Sequence, residues 1–209
     1  MKVIRVATDD SGAYYSIVSR LKQTDLEFVS VSPSDVSRPS REPVITTKKE
    51  LHDIGGVAFA IEDLSESPLV MKGQILSRFL DESKKVLLVG IDPGSRIGVA
   101  IFYGGQELGV LTTNSTEGLA VILTELVRCV QHSTLLVKIG DGEPRSAARI
   151  ASRINESLRP VRVEIVDESG TSLGRRSASR ATRDQQAAVR IAFRKGIRPS
   201  ASPSRRTRG

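Results

Sequence analysis

Several acidic residues in the second half of the chain stand where carboxylates could act together. Asp92 ends the apolar run 86–91, Asp141 and Glu143 follow the run 134–140, Asp167 and Glu168 follow 161–166, and Asp184 lies early in a helical pattern over about 180–195. Carboxylates gathered at one place repel one another unless cations neutralise them. An all-oxygen set without His or Cys suits Mg²⁺ or Mn²⁺. Two such ions about 4 Å apart activate water and stabilise the leaving oxygen of a phosphodiester.

The elements that must position these acids are legible around VLLVGIDPGSRIGVAIFY, residues 86–103. A buried strand stops at Asp92, turns through Pro93-Gly94-Ser95 and returns as an antiparallel strand over 97–103. Nearly every residue before Asp92 is Val, Leu or Ile, as in a central strand covered on both faces. Gly94 and Gly98 let backbone approach the acid closely. A hairpin at Gly104-Gly105 leads into a third strand over 107–112. An amphipathic helix over 115–131 follows, with Cys129 in it as inert packing. A fourth strand spans 134–140, a helix opened by Pro144 runs to Leu158, and the fifth strand spans 161–166. The helical crossovers make the first, fourth and fifth strands parallel neighbours, so their terminal acids converge on one sheet edge, where open α/β folds bind ligands.

Residues 1–83 form a separate small α/β domain of strands at 2–8, 26–31, 44–46 and 57–61. Helices are expected at 11–23, 47–54 and 67–81, with Ser11 and Thr47 as caps and a loop over 32–43. Asp9-Asp10-Ser11-Gly12 reads as a capped helix start and Tyr14-Tyr15 as a pair with one ring in the core. No residue there decides between dimerisation, substrate selection and a partner surface.

With 39% apolar residues and no run long enough to span a bilayer, the chain is expected to be soluble and cytoplasmic, without membrane attachment. A single cysteine excludes an intramolecular disulfide and a zinc site built on cysteine pairs. The net charge of +7 is concentrated at one end. Residues 174–209 hold 11 Lys/Arg against Asp184 alone, whereas residues 1–173 hold 20 Lys/Arg against 23 Asp/Glu. So dense a cationic segment favours phosphate backbones through counterion release. Its last residues, 197–209, are a Pro/Ser/Arg tail of disordered composition.

The order βββαβαβα over residues 84–196, with acids after the first, fourth and fifth strands and in the last helix, resembles the RNase H-like fold. GIDPGSRIGVAIF is similar to the opening motif of RuvC-type Holliday junction resolvases. GDGEPRSAARIASRI resembles the YqgF segment in which a strand ends near Asp-Gly and a helix carries a basic face, VEIVDESGTS its VDERLTT stretch, and RDQQAAVRIAF its closing helix. The resemblance implies a mixed five-stranded sheet with flanking helices, a catalytic set of Asp92, Asp141, Asp167, Glu168 and Asp184, and metal-ligand roles for four of them. Asp92 would bridge two Mg²⁺ or Mn²⁺ ions, with Glu168, Asp184 and Asp141 as further ligands and Glu143 as a substitute for Asp141. Where the family has Arg after Asp-Glu, this chain has Ser169, and Arg175, Arg176 or Arg180 could replace that cation. With Arg183, Arg190 and Lys195 these form the expected nucleic-acid contacts.

The implied activity is a metal-dependent nuclease acting on Holliday junctions or other branched DNA in recombination and repair, or on structured precursor RNA, and the implied assembly is a homodimer. The competing expectations are a non-catalytic nucleic-acid-binding protein of the same fold and a sugar-kinase or actin-like ATPase. The short chain speaks against the ATPase, which needs two such domains around its nucleotide.

Overall fold

The computed structural model describes residues 3–36, 40–158, 160–168 and 180–197. The chain forms two compact units, one of Met1–Asp81 with Glu125–Gln131 and one of Glu82–Thr124 with His132–Gly209. No described helix is long and apolar enough to cross a membrane. Both units are α/β.

The first unit runs β1 (Ile4–Val6), α1 (Ser11–Leu21), β2 (Phe28–Ser30), β3 (Ser40–Thr46), β4 (Gly56–Ala60) and α2 (Pro68–Ser77). Its sheet is parallel, in the order β2-β1-β3-β4. Side chains alternate across β3, so Ile45 joins a core with Ile4, Val6, Ile17, Leu21, Met71 and Ile75, while Val44 packs with Ala7 and Val36 on the other face. Asp10, not Ser11, is the cap of α1, its Oδ1 accepting the Ala13 N–H at 2.9 Å. Neither tyrosine of the pair enters the core: Tyr14 is 39% and Tyr15 76% exposed. Lys72, buried on α2, is paired with Asp25 at 2.5 Å, and that partner holds the Asp25 carboxyl below its usual range.

The helix expected over 47–54 shrinks to a 3-10 turn, Leu51–Asp53. The Glu50 carboxylate takes hydrogen bonds from the Thr47 hydroxyl at 2.6 Å, the Thr46 hydroxyl at 3.0 Å and the Asp9 N–H at 2.8 Å. These tertiary bonds hold the segment across the sheet end, and no buried apolar residue in the turn rewards a longer helix. β3 begins earlier than expected, at Ser40, and α2 ends before Asp81.

The second unit runs β5 (Val86–Asp92), β6 (Ile97–Tyr103), β7 (Gln106–Thr113), α3 (Thr116–Cys129, its residues from Glu125 on grouping with the first unit), β8 (Thr134–Gly140), α4 (Pro144–Ser157), β9 (Arg162–Val166) and α5 (Arg180–Phe193). The sheet order is β7-β6-β5-β8-β9, with β5 antiparallel to β6 and parallel to β8, which is parallel to β9. The three acid-terminated strands are therefore parallel neighbours. α3 is capped by Ser115, whose Oγ accepts the Gly118 N–H at 2.9 Å, and Cys129 near its end is exposed rather than packed inside.

α5 lies on the sheet face to which Leu88, Gly90 and Asp92 point. Leu88, Ala100, Phe102, Ala188, Val189 and Ala192 pack together there. Gly90 is required by this contact, because a Cβ on it would stand 2.1 Å from the Ala188 carbonyl oxygen. Ile197, expected as the start of a free tail, instead pairs with Ile165 at the β9 edge through two 2.8 Å backbone bonds. Residues 198–209, the rest of that tail, lie outside the described residues.

Candidate active site

The second unit's acids meet at the C-terminal ends of β5, β8 and β9. Asp92 is the last residue of β5, and its partner across the antiparallel ladder is Gly98. On its other side, register-matched pairs end at Ile91 and Ile139, so the next residue of β8, Gly140, lies beside Asp92. Paired residues send their side chains to the same face. Asp92 thus projects between two glycines, and each gap is filled by another acidic residue. The Asp184 backbone sits on Gly98, where a Cβ would lie 2.3 Å from its carbonyl oxygen, and the Glu168 carboxylate sits on Gly140, with Oε1 1.8 Å from a Cβ placed there. Neighbouring strands are about 4.8 Å apart. Glu168, Asp92 and Asp184 are therefore set side by side across the sheet end.

The electrostatics follow from that arrangement. Burial, and then the charges of Glu168, Asp184 and Glu143, push the Asp92 carboxyl up to about 7. Oδ2 of Asp184 is fully buried and has no hydrogen-bond partner among the described residues. A buried carboxylate oxygen left unpaired is expensive, and a cation satisfies it. The donor set is all oxygen, as Mg²⁺ or Mn²⁺ prefers. Among the described residues no three of these groups close on one point as a finished ion cage. The fit to a divalent cation rests on donor type, mutual charge and the unpaired Asp184 oxygen.

Asp141 reaches the same edge with a different task. Its Oδ1 accepts the Glu168 N–H at 2.9 Å and its own N–H donates to the Val166 carbonyl at 3.1 Å, tying β8 to the segment after β9. The Gly142 N–H donates to Glu168 Oε1 at 3.2 Å. Asp141 and Gly142 thus position Glu168, while Glu143 is the acid of this turn whose charge reaches Asp92. Asp167 is exposed, and its carbonyl oxygen accepts a hydrogen bond from Arg194 Nη1 at 2.6 Å.

Of the expected cationic contacts, Arg183, Arg190 and Lys195 are exposed on or just after α5, and Arg180 opens that helix. Arg175 and Arg176 lie outside the described residues, as does Ser169. Gly98 was legible as a site of close backbone approach, and Asp184 is what approaches. Among the described residues Gly94 has only its own turn nearby, at Arg96. Sequence reasoning missed Gly140 and named Glu143 only as a substitute for Asp141. The signal for Gly140 was a glycine ending a buried strand just before an acid.

Comparisons with known proteins bear mainly on the other unit. Residues 3–67 match a family described as a response regulator receiver-like domain. That is well under half of the chain. The match supplies a likeness for the segment that the sequence alone left without one, and it stops short of the acid cluster. No curated protein matches the chain. A solved structure, Argonaute of Marinitoga piezophila in complex with 5′ OH guide RNA, is similar over 80% of this chain at 11% identity and a TM-score of 0.30. This chain spans 40% of that Argonaute chain, and a likeness at that score carries no argument.

Proposed function

We propose that the protein is a divalent-metal-dependent endonuclease that hydrolyses phosphodiester bonds in structured nucleic acid. Branched DNA such as a four-way junction is the first substrate in this reading, and structured or precursor RNA the second. The observation that carries it is the row Glu168–Asp92–Asp184 at the sheet end, with Asp92 pushed up to about 7 and Asp184 Oδ2 buried without a partner among the described residues. The RuvC/YqgF-like resemblance of residues 84–196, within the RNase H-like fold, supports the same reading. A homodimer and a part in DNA recombination or repair rest on that resemblance alone, and a cytoplasmic location rests on composition.

Asp92, Glu168 and Asp184 would hold Mg²⁺ or Mn²⁺, with Glu143 contributing charge and Asp141 fixing Glu168. Such an ion, when bound, supplies positive charge to the scissile phosphate and lowers the pKa of water. Asp92 then exists as the carboxylate, because a neighbouring cation favours the charged form that burial and three acids disfavour. Arg183, Arg190 and Lys195 lie exposed where flanking phosphates could be held.

A second reading is binding without cleavage, for which the exposed Arg183, Arg190 and Lys195 suffice. Cleavage of labelled four-way junction, flap, single-stranded DNA and structured RNA, with Mg²⁺ or Mn²⁺, separates the two. Metal-dependent cutting that disappears in Asp92→Asn supports the nuclease. Salt-sensitive binding with no cutting of any substrate supports the binder.

A further inference from the structure

The outer face of α4 carries Arg145, Arg149 and Arg153, spaced four residues apart and all exposed. Four residues advance a helix by about 6 Å, so the three guanidiniums form one stripe about 12 Å long. The opposite face is fixed in the fold by Ala147, Ile150 and Ile154, so the stripe cannot rotate inward. Helix packing does not explain these arginines. The described residues give Arg145 and Arg149 no hydrogen bond or ion pair, and Arg153 only an exposed 4.0 Å pairing with Glu156.

The stripe also has a direction. It begins two residues after Glu143, whose charge acts on Asp92, and runs from the acid end of the sheet back along α4. A negative sheet end and a positive helix face thus adjoin on one continuous piece of chain. An anion that follows the stripe arrives at the acids. Guanidinium groups fit phosphate oxygens in a fork geometry. One strand of a duplex presents one charge per about 3.4 Å of axis, so a 12 Å track along one backbone meets about three or four phosphates. No large apolar side chain lies on this face to enter a lipid surface.

The geometry points to the α4 stripe as the track for the sugar-phosphate backbone of a double-stranded arm flanking the acid cluster. This rests on the nuclease reading for its direction, and it adds the class of flank that the site takes: duplex, held by phosphate and not by base sequence. The stripe is distinct from the cationic segment after residue 174.

The test is binding of a fluorescent duplex to the full-length protein in EDTA, from about 50 to 200 mM salt. The variants are the triple Arg145→Gln/Arg149→Gln/Arg153→Gln and each single substitution, with circular dichroism to confirm folding. The exposed face predicts unchanged spectra. The triple variant is expected to bind between about tenfold and a few hundredfold more weakly at 0.1 M salt, with a salt slope lower by about 2 to 3, and each single variant to lose about 0.9 of slope. Equal loss on duplexes of unrelated sequence is part of the expectation. Wild-type affinity and slope in the triple variant would overturn the track, as would displacement of duplex by polyglutamate at equal charge concentration. The result is independent of cutting: if the wild type cleaves nothing yet loses duplex binding with the stripe, the nuclease reading fails and the track stands.

Discussion

Two sheet ends in this molecule use carboxylates in opposite ways. In the first unit, desolvation opposes ionisation of Glu50. Hydrogen bonds from the Thr47 and Thr8 side chains, the Asp9 N–H and the Thr46 hydroxyl outweigh it, and the carboxyl is held down at about 2. In the second unit burial, and then the neighbouring carboxylates, push Asp92 up to about 7. Both groups lie at the C-terminal ends of parallel strands, where ligands bind in such folds. Glu50 has its donors built in and closes its own site. Asp92 and Asp184 have charge and an unpaired oxygen that the described residues leave unsatisfied, which is the state expected of groups that await a cation.

The sharpest way to break the comparison is to fill the gaps that seat the acids. Gly98→Ala forces a methyl group against the Asp184 carbonyl, and about 3 kcal/mol of destabilisation in urea unfolding is expected, with α5 displaced from β6. Gly140→Ala meets the flexible ends of the Glu168 and Ile191 side chains rather than backbone, so its stability loss should be smaller although it too moves a site acid.

Glu50→Gln should cost about 1–3 kcal/mol, because a charged acceptor of several buried donors is lost. The same interaction predicts a pH window. The folded-state pKa is about 2 against 4.5 for a free glutamate, so its contribution is complete above pH 4.5 and is lost as pH falls towards 2. Urea midpoints of wild type and Glu50→Gln should converge there.

Asp92→Asn has the opposite sign. The native carboxyl holds its proton up to about pH 7 while the unfolded chain releases it near 3.8, so wild-type stability declines as pH rises between those values. In EDTA at pH 8 the Asn variant should be more stable by about 1–2 kcal/mol, allowing for solvent screening of a partly exposed group. The smallest effect is expected at the α1 cap, where Asp10→Ala should cost about 1 kcal/mol in thermal unfolding and leave both carboxylate sites unchanged.

The sequence was most readable where periodicity and burial coincide. Apolar runs such as 86–91 and 134–140 make the strands and their acid ends plain, and the intervening helices make those strands parallel. It was least readable where residues distant in the chain settle a local choice. Asp141 and Glu143 are two residues apart and chemically alike. Only the Glu168 N–H, 27 residues later, captures Asp141 and leaves Glu143 to act on Asp92. Likewise Thr47 and Glu50 have helix-cap spacing, yet Asp9 and Thr46 recruit the same carboxylate and the helix stops at one turn. Neither outcome is encoded in a local window.

The central claim is that the second unit's acids bind a divalent cation and the first unit's Glu50 site does not. Thermal unfolding with Mn²⁺ against EDTA tests it most directly, comparing wild type, Asp184→Asn and Glu50→Gln. A ligand at about a hundred times its Kd stabilises by about 2.7 kcal/mol, so a rise of several degrees is predicted for wild type and Glu50→Gln and none for Asp184→Asn. An unchanged wild-type Tm, or an equal rise in Asp184→Asn, would contradict the account.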